Sequence, residues 1–348
     1  MVITMKDMSI NKGNYSVDTP ERFEKYMKAR GYMNEEAFQT YRKNWTEYPL
    51  RQYISEYPLS LEFQISDVCN LKCPFCTYKN GPDKFMDFSL FKKAIDETAG
   101  KVPAIRFNST GESVLHPQFL EMVKYAKDHG AIEISFITNT GAISLDLFEK
   151  ILLAGVDWMT VSIDGLYEEY EKNRYPLKFQ GTYEKLKAMK TIKERYFSQK
   201  PAINIQGIWP FIEDRIEEYI DVLSPVCDYI NYCTFVDFEK MKDSNCEPDF
   251  TCAQPFQRLL IQIDGEICPC CAPSDDHHLA RANLGNLKEQ SVFELWHSEA
   301  LNKVRELCSA PGKYKELNMC RQCISPHKIK QKTVEIHGKK CVVNSEYL

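Results

Sequence analysis

Short apolar segments typical of β-strands alternate with longer amphipathic segments typical of α-helices between residues 61 and about 240. The predicted strands cover 61–66, 104–110, 132–138, 158–164, 202–208 and 229–237, and the predicted helices cover 89–98, 116–129, 144–154, 182–196 and 212–223. Six strands that alternate with five helices imply parallel strands joined by right-handed crossovers. The pattern therefore predicts an α/β fold whose sheet curves into a full or partial (β/α)6 barrel.

Polar residues alternate with the apolar ones inside these strands, so one face of the sheet is predicted to be polar. A closed eight-stranded barrel fills its interior with branched apolar side chains instead. We therefore expect a partial barrel whose interior holds polar ligands, although some of these side chains should pair with each other in buried hydrogen-bond networks. The polar positions are Glu62, Gln64, Arg106, Asn108, Ser135, Asn139, Thr160, Ser162, Asp164, Asn204, Gln206, Asn231 and Cys233.

Three cysteines, Cys69, Cys73 and Cys76, follow the first predicted strand. Three thiolates can hold a cubane iron–sulfur cluster but leave its fourth iron without a protein ligand, which opens that iron to chemistry. The same spacing also fits one face of a buried helix, and zinc binding is a further alternative. Pro74 and Asn70 favour a loop over the helix. A loop there would lie at the carboxyl end of a strand, where barrel enzymes place their active sites.

With Phe75 before its last cysteine, this loop resembles that of the radical S-adenosylmethionine (SAM) enzymes. The resemblance implies a 4Fe–4S cluster whose free iron chelates the amino and carboxylate groups of SAM. It further implies that an electron from the cluster, supplied by flavodoxin or ferredoxin, cleaves SAM to a 5′-deoxyadenosyl radical that abstracts hydrogen from a substrate.

Residues 109–112 resemble the Gly-Gly-Glu segment of this family, whose glutamate accepts hydrogen bonds from the amino group of SAM. Thr110 replaces the first glycine and Ser113 replaces the usual proline, whereas Gly111 and Glu112 are present. The resemblance thus implies that Thr110, Gly111 and Glu112 bind SAM.

Four further polar positions match SAM-binding segments of the family. Asn139 falls in a segment that faces the methionyl part of SAM, and Ser162 and Asp164 match residues that reach the ribose or the carboxylate. Arg174 falls where relatives keep an arginine that can pair with the carboxylate. Each match is weak when taken alone, because a Ser or Asp at the end of a strand is more often a helix cap.

The tail contains a second set of cysteines, Cys252, Cys270, Cys320 and Cys323. A Cys-x2-Cys pair with two upstream thiols makes a four-ligand site that zinc or an iron–sulfur cluster would satisfy. Together with Gly265, this set resembles the SPASM/twitch extensions of radical SAM enzymes, which bind auxiliary iron–sulfur clusters.

The resemblance implies one auxiliary 4Fe–4S cluster, because the two-cluster version needs a cysteine where this chain has Ile329. Four cysteines are then expected to be spare, although the choice of ligand among Cys268, Cys270 and Cys271 stays open. The spare set is Cys268, Cys271, Cys308 and Cys341.

The 348 residues predict three parts: an N-terminal helical extension (1–60), the barrel (61–245) and a small cysteine-rich twitch/SPASM-like domain (246–348). The extension shows no run of strands that would suggest a peptide-binding module, which favours a small-molecule substrate. A formal net charge of −5 gives no argument for nucleic acid or membrane as a partner. Without an export signal or a spanning segment, the fourteen cysteines favour metal sites in a reducing cytoplasm.

Four functions remain open from the sequence. The first is dehydrogenation of a carbohydrate-like or aminocyclitol-like alcohol, in which the auxiliary cluster accepts an electron. The second is radical epimerisation, for which Cys233 could donate hydrogen, and Asp237 on the same predicted strand is the other catalytic candidate. The third is peptide maturation, and the fourth is a zinc-stabilised binding protein without catalysis.

Overall fold

The computed structural model describes residues 14–76, 84–107, 110–237, 245–270, 284–321 and 323–348. The strands in these ranges are β1 (Asn14–Ser16), β2 (Ser60–Phe63), β3 (Ala104–Phe107), β4 (Glu133–Thr138), β5 (Trp158–Ser162), β6 (Ala202–Ile208), β7 (Tyr229–Cys233), β8 (Arg258–Ile261), β9 (Ile267–Cys268), β10 (Ile329–Ile336) and β11 (Lys339–Tyr347). The α-helices are α1 (Pro20–Gly31), α2 (Glu35–Leu50), α3 (Phe88–Glu97), α4 (Phe119–Asp128), α5 (Leu145–Leu153), α6 (Tyr167–Asn173), α7 (Phe179–Arg195), α8 (Trp209–Ile212), α9 (Ile216–Leu223), α10 (Val292–Trp296) and α11 (Glu299–Ser309).

A nine-stranded sheet in the order β1-β7-β6-β5-β4-β3-β2-β8-β9 organises the molecule. The six predicted strands are β2 to β7, and each pairs in parallel with the next along the chain. The sheet is open, because β1 and β9 lie at its two edges. The predicted α/β fold with a mostly parallel sheet is confirmed.

The sheet extends beyond the six predicted strands on both sides. On one side, β8 from the cysteine-rich tail pairs in parallel with β2, and Ser60 lies opposite Arg258. A buried ion pair between Glu62 and Arg258 joins the two strands. On the other side, β1 of the N-terminal extension pairs antiparallel with β7. The N-terminal extension and the cysteine-rich tail therefore both contribute strands to the central sheet.

Helix α1 covers the amino ends of β4 to β7. Thr19 caps the helix by accepting a hydrogen bond from the Arg22 N–H at 3.3 Å. Tyr26 stacks on Tyr229 at the start of β7, with ring centroids 5.1 Å apart, and Arg30 forms a buried ion pair with Glu133 at the start of β4. The N-terminal extension thus closes the end of the sheet that lies opposite the expected active site.

The hairpin β10–β11 packs at the other end of the sheet. Its strand β11 forms an isolated bridge between Glu346 and Phe235, just beyond β7. The Thr234 hydroxyl donates a hydrogen bond to the Asn344 carbonyl oxygen at 3.3 Å, and the Asn344 N–H donates one to the Tyr232 hydroxyl at 2.9 Å. The last residues of the described chain therefore lie beside the carboxyl end of β7.

None of the helices among the described residues has the length and apolar character needed to cross a membrane.

Candidate active site and tail cysteine site

The loop that carries Cys69, Cys73 and Cys76 follows β2 and contains turns rather than helix, which excludes the helical alternative. The Lys72 N–H donates to the Tyr175 carbonyl oxygen at 2.9 Å and so ties the loop to the segment after α6. Burial raises the pKa of Cys69 and of Cys73, and the charge of Cys76 acts on both thiols in the same direction. The three thiols are thus close enough to interact electrostatically.

Asn139 connects this loop to the end of β4. Its side-chain amide donates to the Asn70 side-chain oxygen at 2.9 Å and lies 4.0 Å from the Cys69 sulfur. Its backbone N–H donates to the Glu112 carboxylate at 2.8 Å. Asn139 therefore positions both the cysteine loop and Glu112. The sequence did not single out Asn70 as a functional residue, although it directly follows the first cysteine of the motif.

Gly111 lies where a side chain would not fit. A Cβ atom there would come within 2.7 Å of the Ser66 carbonyl oxygen and 2.8 Å of the Val68 carbonyl oxygen, and the residue has a φ of +66°. The next N–H, that of Glu112, donates to the Val68 oxygen at 2.7 Å. Glycine thus allows the segment after β3 to pack directly on the start of the cysteine loop.

Glu112 is buried, with 2% of its surface exposed. One carboxylate oxygen accepts the Asn139 N–H, and the other, Oε1, has no hydrogen-bond partner among the described residues. Burial raises the pKa of Glu112 to about 7. A buried carboxylate with one unsatisfied oxygen is suited to receive a cationic donor from a ligand.

Arg174 pairs with Asp164 in a buried ion pair just beyond β5. The guanidinium carbon lies 5.4 Å from the centroid of the Phe75 ring, and one guanidinium nitrogen lies 3.9 Å from the Cys73 sulfur. Although burial disfavours its charge, the Asp164 carboxylate raises the pKa of Arg174. Phe75 also packs on Phe211, with ring centroids 5.2 Å apart. The predicted SAM residues Asp164 and Arg174 thus lie beside the cysteine loop.

The remaining predicted SAM residues lie at the same end of the sheet. The Thr110 hydroxyl accepts a hydrogen bond from the Gln64 side chain at 2.5 Å, and Ser162 is buried at the end of β5. Two predicted interior or segment residues, Asn108 and Ser109, lie outside the described residues.

Deeper polar residues pair with each other, as the sequence analysis expected for some of them. The Asn204 amide donates to the Thr160 hydroxyl at 3.2 Å and to the Asn231 side-chain oxygen at 3.4 Å. Glu62 pairs with Arg258 from β8. These side chains build the interior of the sheet, and the residues predicted to bind SAM lie beyond them at the carboxyl ends of the strands.

Cys233 ends β7, and the charges of Asp164 and Arg174 act on it. Burial raises its pKa to about 12, so its thiol stays protonated at neutral pH. Tyr347 in β11 lies within electrostatic reach of both Cys233 and Cys323. The sequence analysis did not identify Tyr347. Asp237 is half-buried, four residues after β7.

The tail brings four cysteines together: Cys252, Cys308, Cys320 and Cys323. The Cys308 thiol contacts the thiols of Cys252 and Cys320, and Cys323 lies within electrostatic reach of Cys252 and Cys320. The contact with Cys308 lowers the pKa of Cys252, whereas the contacts with Cys252 and Cys320 raise that of Cys308. Three predicted ligands are thus close together, and Cys308, which was expected to be spare, is among them.

The other tail cysteines lie in or just after β9, in β11, or outside the described ranges. Cys270 follows β9 and is half-buried, and its role as a ligand stays a prediction. Cys268 is buried and receives a hydrogen bond from Gln262 at 2.7 Å. Cys341 is half-buried in β11. Cys271 is not among the described residues.

The residues at both places suit iron–sulfur chemistry. No three His, Cys, Asp or Glu side chains in the described ranges are arranged to share a single metal ion. A cubane cluster has a different requirement, because each thiolate binds its own iron. The cysteine loop supplies three interacting thiols, and the Oε1 atom of Glu112 and the Oδ1 atom of Asp164 are buried with no partner in the described part of the chain. These atoms fit a cluster with a polar, charged ligand beside it.

Comparison with known proteins gives the same assignment. The profile of the Radical SAM superfamily matches residues 63–223, and that of SPASM, an iron–sulfur cluster-binding domain, matches residues 252–324. The tungsten-containing aldehyde ferredoxin oxidoreductase cofactor-modifying protein of Pyrococcus furiosus is 31% identical over 296 residues, covering 69% of this chain and 81% of the relative. The AdoMet-dependent heme synthase of Methanosarcina barkeri is 29% identical over 314 residues, covering 74% and 87%.

Solved structures share the fold at low sequence identity. BtrN in complex with AdoMet (SAM) and 2-DOIA has a TM-score of 0.51 and 16% identity, covering 76% of this chain and 92% of its own. The anSMEcpe structure with bound AdoMet and Cp18Cys peptide has a TM-score of 0.54 and 17% identity, covering 77% and 90%. The two matched domains imply 4Fe–4S clusters and SAM as cofactors, in agreement with the sequence analysis. The chain therefore belongs to the radical SAM superfamily of enzymes and carries a SPASM iron–sulfur cluster-binding domain in its tail.

Proposed function

We propose that the protein is a radical SAM oxidoreductase that dehydrogenates a polar small molecule of the carbohydrate or aminocyclitol type, with one auxiliary 4Fe–4S cluster as electron acceptor. The observation that carries this proposal is that the hairpin after the tail cysteines packs on the carboxyl end of β7, where the Thr234 hydroxyl donates to the Asn344 carbonyl oxygen and Phe235 forms a bridge with Glu346. The part of the chain that follows Cys323 thus lies beside Cys233, at the end of the sheet where a substrate would react.

The assignment of residues follows the geometry of the two sites. Cys69, Cys73 and Cys76 would hold the cluster that binds SAM, and Cys252, Cys270, Cys320 and Cys323 would hold the auxiliary one. The SAM pocket would use Phe75, Thr110, Gly111, Glu112, Asn139, Ser162, Asp164 and Arg174. Within it, Glu112 offers a buried, unsatisfied carboxylate oxygen for the ammonium group of SAM.

When bound, these groups supply a hydrogen-abstracting radical and an electron acceptor. In a net dehydrogenation the alcohol would give one hydrogen atom to the 5′-deoxyadenosyl radical, one electron to the auxiliary cluster and one proton to a base. Asp237 is our candidate for that base, because it follows β7 at the carboxyl end of the sheet. The proposal includes ferredoxin or flavodoxin as the reductant of the first cluster, in a cytoplasmic setting.

One specific observation favours epimerisation as a second candidate. Burial and the Asp164 carboxylate raise the pKa of Cys233 to about 12. A thiol that stays protonated beside the reacting position could return a hydrogen atom to the substrate radical. The thiyl radical left on Cys233 would then take one electron from the reductant, ferredoxin or flavodoxin, and one proton from solvent to restore the thiol. In that reaction the auxiliary cluster would not need to accept an electron from the substrate.

The similar structures are compatible with either a small-molecule substrate or a peptide substrate. BtrN was solved with AdoMet and 2-DOIA, whereas anSMEcpe was solved with AdoMet and a peptide. We favour the small molecule because the polar side chains at the carboxyl ends of the sheet are suited to hydroxyl and amino groups. Peptide maturation is the remaining alternative.

The test uses anaerobically reconstituted enzyme, SAM and a panel of aminocyclitols and sugars, in deuterated water. Dehydrogenation predicts 5′-deoxyadenosine together with a product two mass units lighter and free of solvent deuterium at carbon. Epimerisation predicts a product of the substrate's formula that carries one deuterium, and its formation should stop in the Cys233→Ala variant. Purified protein that contains zinc and no labile sulfide would refute both reactions and would support a binding protein.

A further inference from the structure

We propose that Arg305 raises the reduction potential of the auxiliary cluster by placing a buried, unpaired positive charge beside Cys252. This inference rests on the part of the proposed function that places an iron–sulfur cluster in the tail with Cys252 among its ligands. It deepens that function, because the potential of the cluster decides how readily it accepts an electron from a substrate radical.

Arg305 lies in α11 with 2% of its surface exposed, and its contacts are with uncharged groups. Its Nε donates to the Pro255 carbonyl oxygen at 3.0 Å, and its Nη1 donates to the Asn302 side-chain oxygen at 2.5 Å. The guanidinium carbon lies 4.2 Å from the centroid of the Trp296 ring. The remaining nitrogen, Nη2, is buried and has no hydrogen-bond partner among the described residues. Burial lowers the pKa of Arg305 to about 10, so the side chain stays charged at neutral pH.

Other buried cationic side chains of this protein are paired with carboxylates. Lys193 forms an ion pair with Asp228. Arg258 forms one with Glu62. A buried charge is costly unless an opposite charge compensates it. For Arg305, a cluster held by four thiolates would supply that compensation, because such a cluster carries a net negative charge.

Two connections place Arg305 close to Cys252. The Cys252 N–H donates to the Cys308 carbonyl oxygen at 2.9 Å, and Cys308 lies three residues after Arg305, on the next turn of the same helix. Pro255, whose carbonyl oxygen Arg305 binds, follows three residues after Cys252, so their Cα atoms are separated by at most about 11 Å. The segment that carries Cys252 is thus joined to α11 at two points, on either side of this thiol's neighbourhood.

The position of this charge has a consequence for electron transfer. Reduction makes the cluster more negative, so a nearby positive charge stabilises the reduced form more than the oxidised form. Net charge, hydrogen bonds to the sulfurs and solvent exposure are the means by which proteins set such potentials. Because Arg305 is buried, solvent screens its charge little. Arg305 therefore makes the auxiliary cluster a better acceptor for the electron that leaves the substrate radical in a dehydrogenation.

The experiment uses full-length protein in which Cys69, Cys73 and Cys76 are replaced by Ala, so that the remaining iron belongs to the tail. The potential of that cluster is measured by a redox titration followed by electron paramagnetic resonance. Adding Arg305→Gln should shift the potential to a more negative value, so that less than half of the clusters are reduced at the midpoint potential of the background protein. Adding Arg305→Lys, which keeps the charge, should shift it less.

A second variant tests the charge while Arg305 stays in place. Asn302→Asp sets a carboxylate where Arg305 now has an amide oxygen, and the resulting ion pair should also make the potential more negative. Lys303→Gln is the matched control, because it removes a positive charge from the exposed face of the same helix, where the Lys303 side chain is 56% exposed. It should leave the potential unchanged, since solvent screens an exposed charge.

Iron and sulfide analysis shows which variants keep the cluster, and Asn302→Asp decides the question if Arg305→Gln does not. The background potential in both of these variants would overturn the proposal and leave the auxiliary cluster in place. Equal shifts in Arg305→Gln and Arg305→Lys would also overturn it, because packing and not charge would then be responsible. So would a shift of the same size in Lys303→Gln. A triple background without iron would instead overturn the auxiliary cluster of the proposed function, and this proposal with it.

Discussion

Replacing Glu112 by Gln isolates the charge that we assign to SAM binding. Gln keeps the size of the side chain and an oxygen that can accept the Asn139 N–H, which lies 2.8 Å from the Glu112 carboxylate in the parent. What it removes is the negative charge on the second oxygen, which has no partner among the described residues. A hydrogen bond to a charged group contributes about 1.5–3 kcal/mol. Because Glu112 is 2% exposed, solvent screens this interaction little.

That free energy corresponds to a dissociation constant for SAM that is about 10-fold to 150-fold higher in Glu112→Gln. The assay is equilibrium dialysis of SAM under anaerobic conditions at pH 8, with protein whose iron content matches that of the parent. Glu121→Gln serves as the control, because Glu121 is an exposed glutamate on α4. It should bind SAM as the parent does.

The same residue gives a pH dependence whose sign can be worked out. Burial raises the pKa of Glu112 to about 7 in the protein without SAM. Below that pH the carboxyl is protonated, and SAM binding must release the proton to form the ion pair. The affinity of the parent should therefore fall as the pH is lowered, by about tenfold between pH 8 and pH 6. Glu112→Gln should lose this dependence. An unchanged affinity in the Gln variant, or the same pH slope in both proteins, would refute the assignment.

Three further predictions concern the SAM-binding cluster, the segment after β3 that packs on the cysteine loop, and the auxiliary cluster. Cys73→Ala should abolish formation of 5′-deoxyadenosine, measured by chromatography after reduction, and turnover at the parent rate would contradict our assignment of the loop. Gly111→Ala should lower the free energy of unfolding in urea by about 1–3 kcal/mol more than Gly100→Ala, because both residues have positive φ but only Gly111 has close backbone neighbours. Equal losses would show that the contact with the cysteine loop is unimportant. The double variant Cys320→Ala, Cys323→Ala should still cleave SAM but form no oxidised product, and mass-spectrometric detection of that product would remove the auxiliary cluster from the reaction.

The alternation of strands and helices predicted the sheet well because β2 to β7 are consecutive and parallel. The strand ends were less predictable. The last predicted strand was expected to run to residue 237, but β7 ends at Cys233. Beyond that point Thr234 bonds to Asn344 and Phe235 pairs with Glu346. Thr234 and Phe235 are residue types that favour strands, but here they contact the hairpin β10–β11. A local sequence pattern cannot distinguish such tertiary contacts from pairing within the sheet.

The parts of the candidate site that belong to sequence motifs were predictable. Spacing identified the cysteine loop and the Cys-x2-Cys turn, and the structure brings Glu112 and Asn139 to that loop. Contacts between distant segments were not predictable. Cys308 is twelve residues before Cys320, and only the packing of α11 reveals that its thiol faces the others. Its sequence signal is the buried face that it shares with Leu301 and Val304, which also fits an ordinary core position.

One buried carboxylate at the amino end of the sheet is satisfied differently from two at the carboxyl end. At the amino end, Asp157 pairs with both Lys127 and Lys200 and accepts the Ile134 N–H at 2.7 Å. At the carboxyl end, Glu112 and Asp164 each keep one buried oxygen without a partner in the described residues. Folded proteins pair most buried polar atoms, since an unsatisfied one costs about 1–3 kcal/mol. The oxygens of Glu112 and Asp164 both belong to residues beside the cysteine loop, so a ligand bound there would supply the missing donors, which is the role that the cluster-bound SAM would have.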